Sequence, residues 1–389
     1  MTVNIRMTPD ELIAHGNNFR SKTEPERALA CYAQAFIQNP RMGAAYNNYG
    51  NVVREMGYPE QAIGFLLNAI AIDDQDTVAQ FNLAVAYLLS GDLERGWRQY
   101  EKRWSFEHLD GKLPKFPKPR WEGQDLAGKS ILVTGEQGHG DNIQFCRFAE
   151  QLVQAGATVY ISVDNNLRPL FQASFLNAVT ILAPEDLLPE FDYWTPIMSI
   201  PGFLGITYAN LPYKLQYLNP SQATVQTWAK RLGLKKRLRV GFCWSGRKDS
   251  WINQHKAVPF EKMLGLIQRN PEYEWLNLQA ECSAEEEAEL VAAGVTAYPA
   301  SIGNWDDTAG LMQHLDVVIA VDTSVGHLAG AMGRPFWLPL NKFGQDWRWL
   351  LNRNDSPWYG SCRIFRQPTI GNWDDPLEQI HNNLKLFKI

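Results

Sequence analysis

The sequence predicts an α-solenoid followed by an α/β region of two halves facing a common cleft. Three observations carry this. The first hundred residues repeat at a fixed period. From Lys129 onward, short apolar runs alternate with amphipathic stretches. Polar, glycine-containing turns at strand ends lead directly into helices.

A shift of 34 residues aligns Gly16 with Gly50 and Ala84, and Ala28 with Ala62 and Gly96. The same shift aligns Tyr32 with Leu66 and Tyr100, and Ala35 with Ala69. Small residues recur where paired helices cross closely, and large apolar ones where they fill the groove beside them. Pro40 and Asp74 close the first two units. Asn17, Arg20, Asn47, Asn51 and Arg54 are expected on the concave face, with Asn48 and Asn82 in a shared register. Amides there can bond a polypeptide backbone whatever its side chains, or can simply solvate a surface. Phe81, Val85 and Leu88 turn the third unit apolar, which suggests docking, and Trp97, Tyr100 and Trp104 form a packing stripe.

The repeats are expected over residues 1–108 and a linker over 109–128, where KLPKFPKPRW is stiffened by Pro114, Pro117 and Pro119. A first Rossmann-like half is expected over 129–220, with strands at 130–135, 158–163 and 179–184 and another within 192–205. A second half is expected over 221–389, with strands at 238–246, 274–279, 295–300 and 315–321. Strand carboxyl ends facing a cleft are where such folds bind ligands.

The most informative segment is VDTSVGHLAGAMGRP, residues 321–335. An apolar strand ends at Asp322, Thr323 and Ser324, passes Val325-Gly326 and opens a helix at His327. Free N–H groups and the helix dipole then converge on one point, suited to a phosphate. Asp322 or Thr323 can equally act as a cap. His327 can bind phosphate or bond a neighbouring carbonyl. Upstream, GEQGHGD (135–141) has neither dinucleotide-type GxGxxG spacing nor a GK[ST] ending. Asp141, after Gly138, His139 and Gly140, is either a helix cap or a general base in the cleft. Both copies of IGNWDD, 302–307 and 370–375, read as helix caps.

Composition excludes several classes. A net charge of −5 argues against general nucleic-acid binding. Five scattered cysteines form no CxxC pair, and no apolar run reaches membrane-spanning length, so a soluble, cytoplasmic protein without a disulfide framework is expected. No metal site is expected: the D-x-D spacing Asp74-Gln75-Asp76 lies between repeats.

The period and pattern of residues 9–108 resemble the tetratricopeptide repeat. GEQGHGDNIQF, FCWSG and VDTSVGHLAGAMGRP together resemble the heptosyltransferase-like glycosyltransferases of GT-B fold. The chain as a whole, including 346–367, is similar to bacterial proteins joining such repeats to such a domain, flagellin and other protein glycosyltransferases among them. The resemblance implies that Asp141 deprotonates an acceptor hydroxyl. It also implies that Ser245, Gly246, Asp322, Thr323, Ser324, Val325 and His327 bind a nucleotide-sugar donor. Lys256 matches the place of a cation that stabilises the leaving phosphate, a role Arg247 or Lys248 can share. His139 stands where relatives more often carry leucine.

The resulting expectation is an inverting, metal-independent transferase, without cofactor, that moves a sugar from a nucleotide donor to a polypeptide recruited by the repeats. A lipopolysaccharide-type acceptor, or a non-catalytic repeat adaptor, are the alternatives.

Overall fold

The computed structural model describes residues 7–105, 113–246, 255–297 and 303–387. The chain divides into two compact units. One comprises Met1–Leu113 with Ile206–Ala209 and Lys342–Asn352; the other comprises Pro114–Gly205, Asn210–Asn341 and Arg353–Ile389.

The first unit is helical, built from three consecutive helix pairs: α1 (Pro9–Ser21) and α2 (Pro25–Gln38), α3 (Gly43–Glu55) and α4 (Pro59–Ile72), α5 (Thr77–Ser90) and α6 (Leu93–Tyr100). Thr8 caps α1 with a reciprocal Glu11 bond, and Asp76 caps α5. That bond places Asp76 of the D-x-D spacing in a capping role. The repeating small residues have a steric cause. A Cβ on Gly16 would stand 2.4 Å from the Tyr32 ring, and one on Gly50 3.0 Å from Leu66. Ala28, Ala35, Ala62 and Ala69 are fully buried at equivalent positions.

Two short segments that the sequence places in the α/β halves pack with these helices instead. Trp97 Nε1 donates to the Ile206 carbonyl at 2.9 Å, and the Gly344 N–H donates to the Glu55 carbonyl at 2.9 Å. Trp347 meets Trp97 edge-on with ring centroids 5.4 Å apart, and the turn Trp347–Trp349 packs on α5. The apolar third repeat is therefore covered by residues more than a hundred positions away. The physical reason is burial of three large indoles, a long-range gain that local pattern does not reveal.

The second unit contains two wholly parallel sheets. The first has the order β3-β2-β1-β4, with β1 Ser130–Thr134, β2 Thr158–Ser162, β3 Thr180–Leu182 and β4 Tyr193–Pro196. The proline-rich stretch adds a bridge from Arg120 to Trp194. The second sheet has the order β10-β9-β8-β5-β6-β7. Its strands are β5 Arg239–Cys243, β6 Glu274–Asn277, β7 Thr296–Ala297, β8 Val317–Ala320, β9 Phe336–Leu340 and β10 Cys362–Arg366. In that order the chain winds outward one way from β5 and the other way from β8. The reversal between these two adjacent strands is the topological switch point of a doubly wound sheet, and ligands bind beyond the carboxyl ends there. All five cysteines are free. No helix among the described residues is long and apolar enough to cross a membrane.

Candidate functional site

The residues at the switch point come from the ends of β5 and β8. Cys243 pairs with Ala320 in register, so the next residues of each strand, Trp244-Ser245-Gly246 and Val321-Asp322-Thr323, leave the sheet side by side. Cys243 Sγ donates toward Gln279 Oε1 at 3.3 Å and lies 3.9 Å from Thr323 Oγ1. Burial pushes its thiol up to about 11, so it is a packing group and not a nucleophile. Gln279 Oε1 also accepts from the Ser245 N–H at 3.1 Å, while the Ser245 hydroxyl oxygen is buried without a protein partner. A buried polar atom of this kind is satisfied by water or by a ligand.

Thr323 is the N-cap of the helix Ser324–Ala331, but its side chain makes no capping bond. Its hydroxyl instead donates back to the Val321 carbonyl at 3.2 Å. The first-turn N–H groups, at Ser324, Val325 and Gly326, are thus left without a side-chain cap, the condition under which a helix start accepts an anion. Behind them the helix packs closely: a Cβ on Gly326 would fall 2.6 Å from Phe336, and one on Gly330 2.4 Å from the Tyr359 ring.

Lys256 and Asp322 are brought together directly. Lys256 Nζ donates to Asp322 Oδ2 at 2.5 Å, with side-chain exposures of 13% and 5%. His327 Nε2 lies 3.8 Å from the other Asp322 oxygen, and His327 Nδ1 is 2.7 Å from the Tyr359 hydroxyl. Asp322 is therefore a hub for two basic groups at the start of this helix. Arg247 and Lys248 lie outside the described residues.

The first half delivers its glycine turn to the same place. After β1 the chain enters α7 (His139–Phe145), whose N-cap is Gly138. A Cβ on Gly140 would stand 2.8 Å from His327 Cδ2 and 3.3 Å from Ser324 Oγ, so only glycine permits this approach between the halves. Asp141 occupies the third helical position, and its Oδ2 accepts from the Gly138 N–H at 3.0 Å. One carboxylate oxygen thus shapes the loop, as a cap would.

His139 turns away from this contact. Its Nδ1 accepts the Trp305 indole N–H at 2.9 Å and its Nε2 stands 3.3 Å from Asp164 Oδ1. The Asn166 N–H, and beyond it the His139 ring, hold Asp164 below the usual carboxylate range. The Trp305 N–H donates to the Asn166 carbonyl at 3.0 Å, closing a second junction between the halves. Each IGNWDD copy caps as expected: Asn304 accepts from the N–H groups of Asp306 and Asp307, and Asn372 from those of Asp374 and Asp375. Trp305 and Asp306 do more than the sequence suggests. Asp306 also accepts from Ser221 and Thr224 at 2.7–2.8 Å, tying the inter-half crossover to the second half.

In the helical unit, the residues assigned to a concave face are bonded to one another. Asn82 donates to Asn47, Asn47 to Asn48, and Asn48 to Asn17, which also accepts from the Tyr32 hydroxyl. Arg54 donates twice to Asn51, and Arg20 pairs with Glu55 through two bonds. Asn47, Asn51 and Glu55 are buried, while Asn17 is exposed. The asparagine ladder crosses α1, α3 and α5 and the Arg20–Glu55 pair joins α1 to α3, so these side chains hold one another in place.

No protein-family model matches the chain. It is 28% identical over 374 residues to Protein FlbA of Caulobacter vibrioides, an alignment covering 90% of this chain and 62% of that protein. The chain thus spans less than two thirds of that relative's length. Among solved structures, Escherichia coli ADP-heptose lipopolysaccharide heptosyltransferase II matches 66% of this chain and 98% of its own, at 16% identity and TM-score 0.47. The first tetratricopeptide domain of human RPAP3 matches 26% of this chain and 79% of its own, at 19% identity and TM-score 0.25. The chain is thus similar in sequence to Protein FlbA, and its described residues form three helix pairs and two parallel sheets.

Proposed function

We propose that this chain is an inverting, metal-independent glycosyltransferase that moves a sugar from a nucleotide donor to a hydroxyl of a polypeptide held by its repeats. The observation that carries this reading is the convergence, at the switch point of the second sheet, of an uncapped helix start, an unpartnered Ser245 hydroxyl and the Lys256–Asp322 pair. The glycine turn bearing Asp141 meets the same helix start through Gly140.

The chemistry follows from these groups. Donor phosphates accept from the N–H groups of Ser324–Gly326 and from Ser245, with Gly246 leaving room for the approach. Lys256 holds its ammonium group beside Asp322 at the start of the helix Ser324–Ala331. Its charge serves the departing nucleotide, where a preorganised cation is most effective. Asp141 takes the proton of the acceptor hydroxyl as that oxygen attacks the anomeric carbon from the side opposite the leaving group, which inverts configuration. The tetratricopeptide-type solenoid supplies the acceptor surface through its asparagine ladder, whose exposed end is Asn17.

Incubating the protein with radiolabelled ADP-, UDP- and CMP-linked sugars and a cell extract tests this reading. Label in a polypeptide, absent with Asp141→Asn, is the expected result. Label confined to glycan would favour the lipopolysaccharide-type acceptor. No transfer from any donor would leave a non-catalytic adaptor.

A further inference from the structure

The reaction scheme leaves His139 and Trp305 without a role, yet these two side chains join the halves beside the glycine turn. Trp305 is the first residue of the helix Trp305–Met312, and the first half holds it twice. Its backbone N–H donates to the Asn166 carbonyl at 3.0 Å, and its indole N–H donates to His139 Nδ1 at 2.9 Å. The two rings meet edge-on, with centroids 5.7 Å apart. Asp164 Oδ1 accepts the Asn166 N–H at 2.8 Å and stands 3.3 Å from His139 Nε2, so one carboxylate borders both residues that Trp305 binds.

An indole nitrogen can only donate, so Nδ1 meets it as a lone pair. The hydrogen of the imidazole then sits on Nε2, the nitrogen that faces Asp164. The turn that His139 opens is tied internally. Asn142 Nδ2 donates to the carbonyls of Glu136 and Gly138 at 3.0 and 2.9 Å, and its Oδ1 accepts the Glu136 N–H at 3.2 Å. Asp141 Oδ2 closes the same loop on the Gly138 N–H. A turn bound in this way shifts as one body, so whatever fixes His139 also fixes Asp141 two residues on. The turn touches the second half at two elements, the helix Ser324–Ala331 through Gly140 and the helix Trp305–Met312 through His139. Contacts from successive residues to two different helices set its orientation as well as its distance.

We propose that His139 is a positioning residue for Asp141: its unprotonated Nδ1 takes the Trp305 indole hydrogen and so fixes the glycine turn against the second half, with Asp164 holding the ring in the required tautomer. An aliphatic side chain at this position has no atom to accept that hydrogen. The consequence for catalysis rests on the function proposed above; the bond from Trp305 to His139 does not.

The test uses the full chain, with melting temperatures of the variants as the folding control. Trp305→Phe keeps an aromatic ring and removes the indole N–H, which identifies the Trp305 indole proton in ¹⁵N-correlated spectra. His139→Leu removes the acceptor, and His139→Asn supplies an amide oxygen in place of Nδ1. The Trp305 indole proton should move upfield in His139→Leu and return towards the parent position in His139→Asn. A resonance unmoved by His139→Leu would overturn the proposal whether or not sugar is transferred. Hydrogen exchange across residues 136–142 should speed up in His139→Leu and slow again in His139→Asn; unchanged exchange would show that the turn does not depend on His139. In the labelling reaction, His139→Leu should lower turnover about tenfold, as misplacement of a catalytic group does, with the Michaelis constant for the nucleotide sugar near the parent value and partial recovery in His139→Asn. Equal turnover in folded His139→Leu and the parent would show that the contact packs the halves without positioning Asp141. No transfer by the parent would count against the proposed function, while the indole resonance and the exchange still decide on His139.

Discussion

Lys256 Nζ stands 2.5 Å from Asp322 Oδ2, and the two side chains come from opposite sides of the switch point, 66 residues apart in sequence. Neither charge is well solvated, so removing one strands the other. Lys256→Met should lower stability by about 3 kcal/mol, the usual cost of leaving a buried partner uncompensated. Adding Asp322→Asn should recover part of that loss, because the unpaired carboxylate disappears. Urea unfolding of the single and double variants measures both; equal stability of Lys256→Met and the parent would mean that the pair is solvated.

Gly140 is required by the approach of α7 to the helix Ser324–Ala331. Gly140→Ala places a methyl within 2.8 Å of His327 Cδ2. The halves must separate or the imidazole must turn, at a cost of about 1–3 kcal/mol. Nucleotide affinity should fall in parallel, because His327 and Ser324 are the atoms displaced. Calorimetric titration alongside thermal unfolding reads both quantities, and an alanine tolerated in both would separate the halves in solution.

Asp141→Asn preserves the bond to the Gly138 N–H through its amide oxygen, so folding and nucleotide affinity should survive. Turnover should drop by ~10²–10⁴, the contribution of a positioned base. Near-normal transfer by the folded variant would confine Asp141 to shaping the loop.

In the repeats, Asn47 is the middle rung of the asparagine ladder. Asn47→Leu removes the acceptor of the buried Asn82 amide and the donor to Asn48, which should cost about 1–3 kcal/mol. Labelling of a polypeptide acceptor should weaken while nucleotide affinity stays at the parent value. Deleting the repeats outright is a poorer experiment, since Trp347 and Leu351 pack with those helices and would be uncovered.

What was legible in the sequence was what is contiguous. β1 to β8 were visible as apolar runs, and the turn at 321–327 stood out as a candidate anion site because its strand end and helix start are consecutive. β9 and β10 were not visible. Pro339 interrupts the first, and Arg363 and Arg366 break the apolar pattern of the second, yet both complete a sheet whose neighbours supply the burial. The same limit applies at the site. Arg147 reaches Trp358 across 211 residues, and Trp305 reaches His139 across 166. Neither spacing leaves a local signal, and the repeated NWDD pattern reads as capping alone. Lys256 and Asp322 were each legible as candidate site residues, but their pairing was not.

On the function proposed above, the switch point of the second sheet binds a nucleotide diphosphate at the uncapped start of the helix Ser324–Ala331. Thermal unfolding of the parent and of Thr323→Glu, each with ADP, UDP and CMP, tests it most directly. At a concentration ~100 times its dissociation constant, a bound nucleotide should stabilise the parent by ~2.7 kcal/mol. Thr323→Glu places a carboxylate at the N-cap, where it both caps the free N–H groups and repels phosphate, so the variant should melt at or above the parent's temperature and show no nucleotide-induced shift. An equal shift in parent and variant would place the nucleotide elsewhere on the chain and contradict the account.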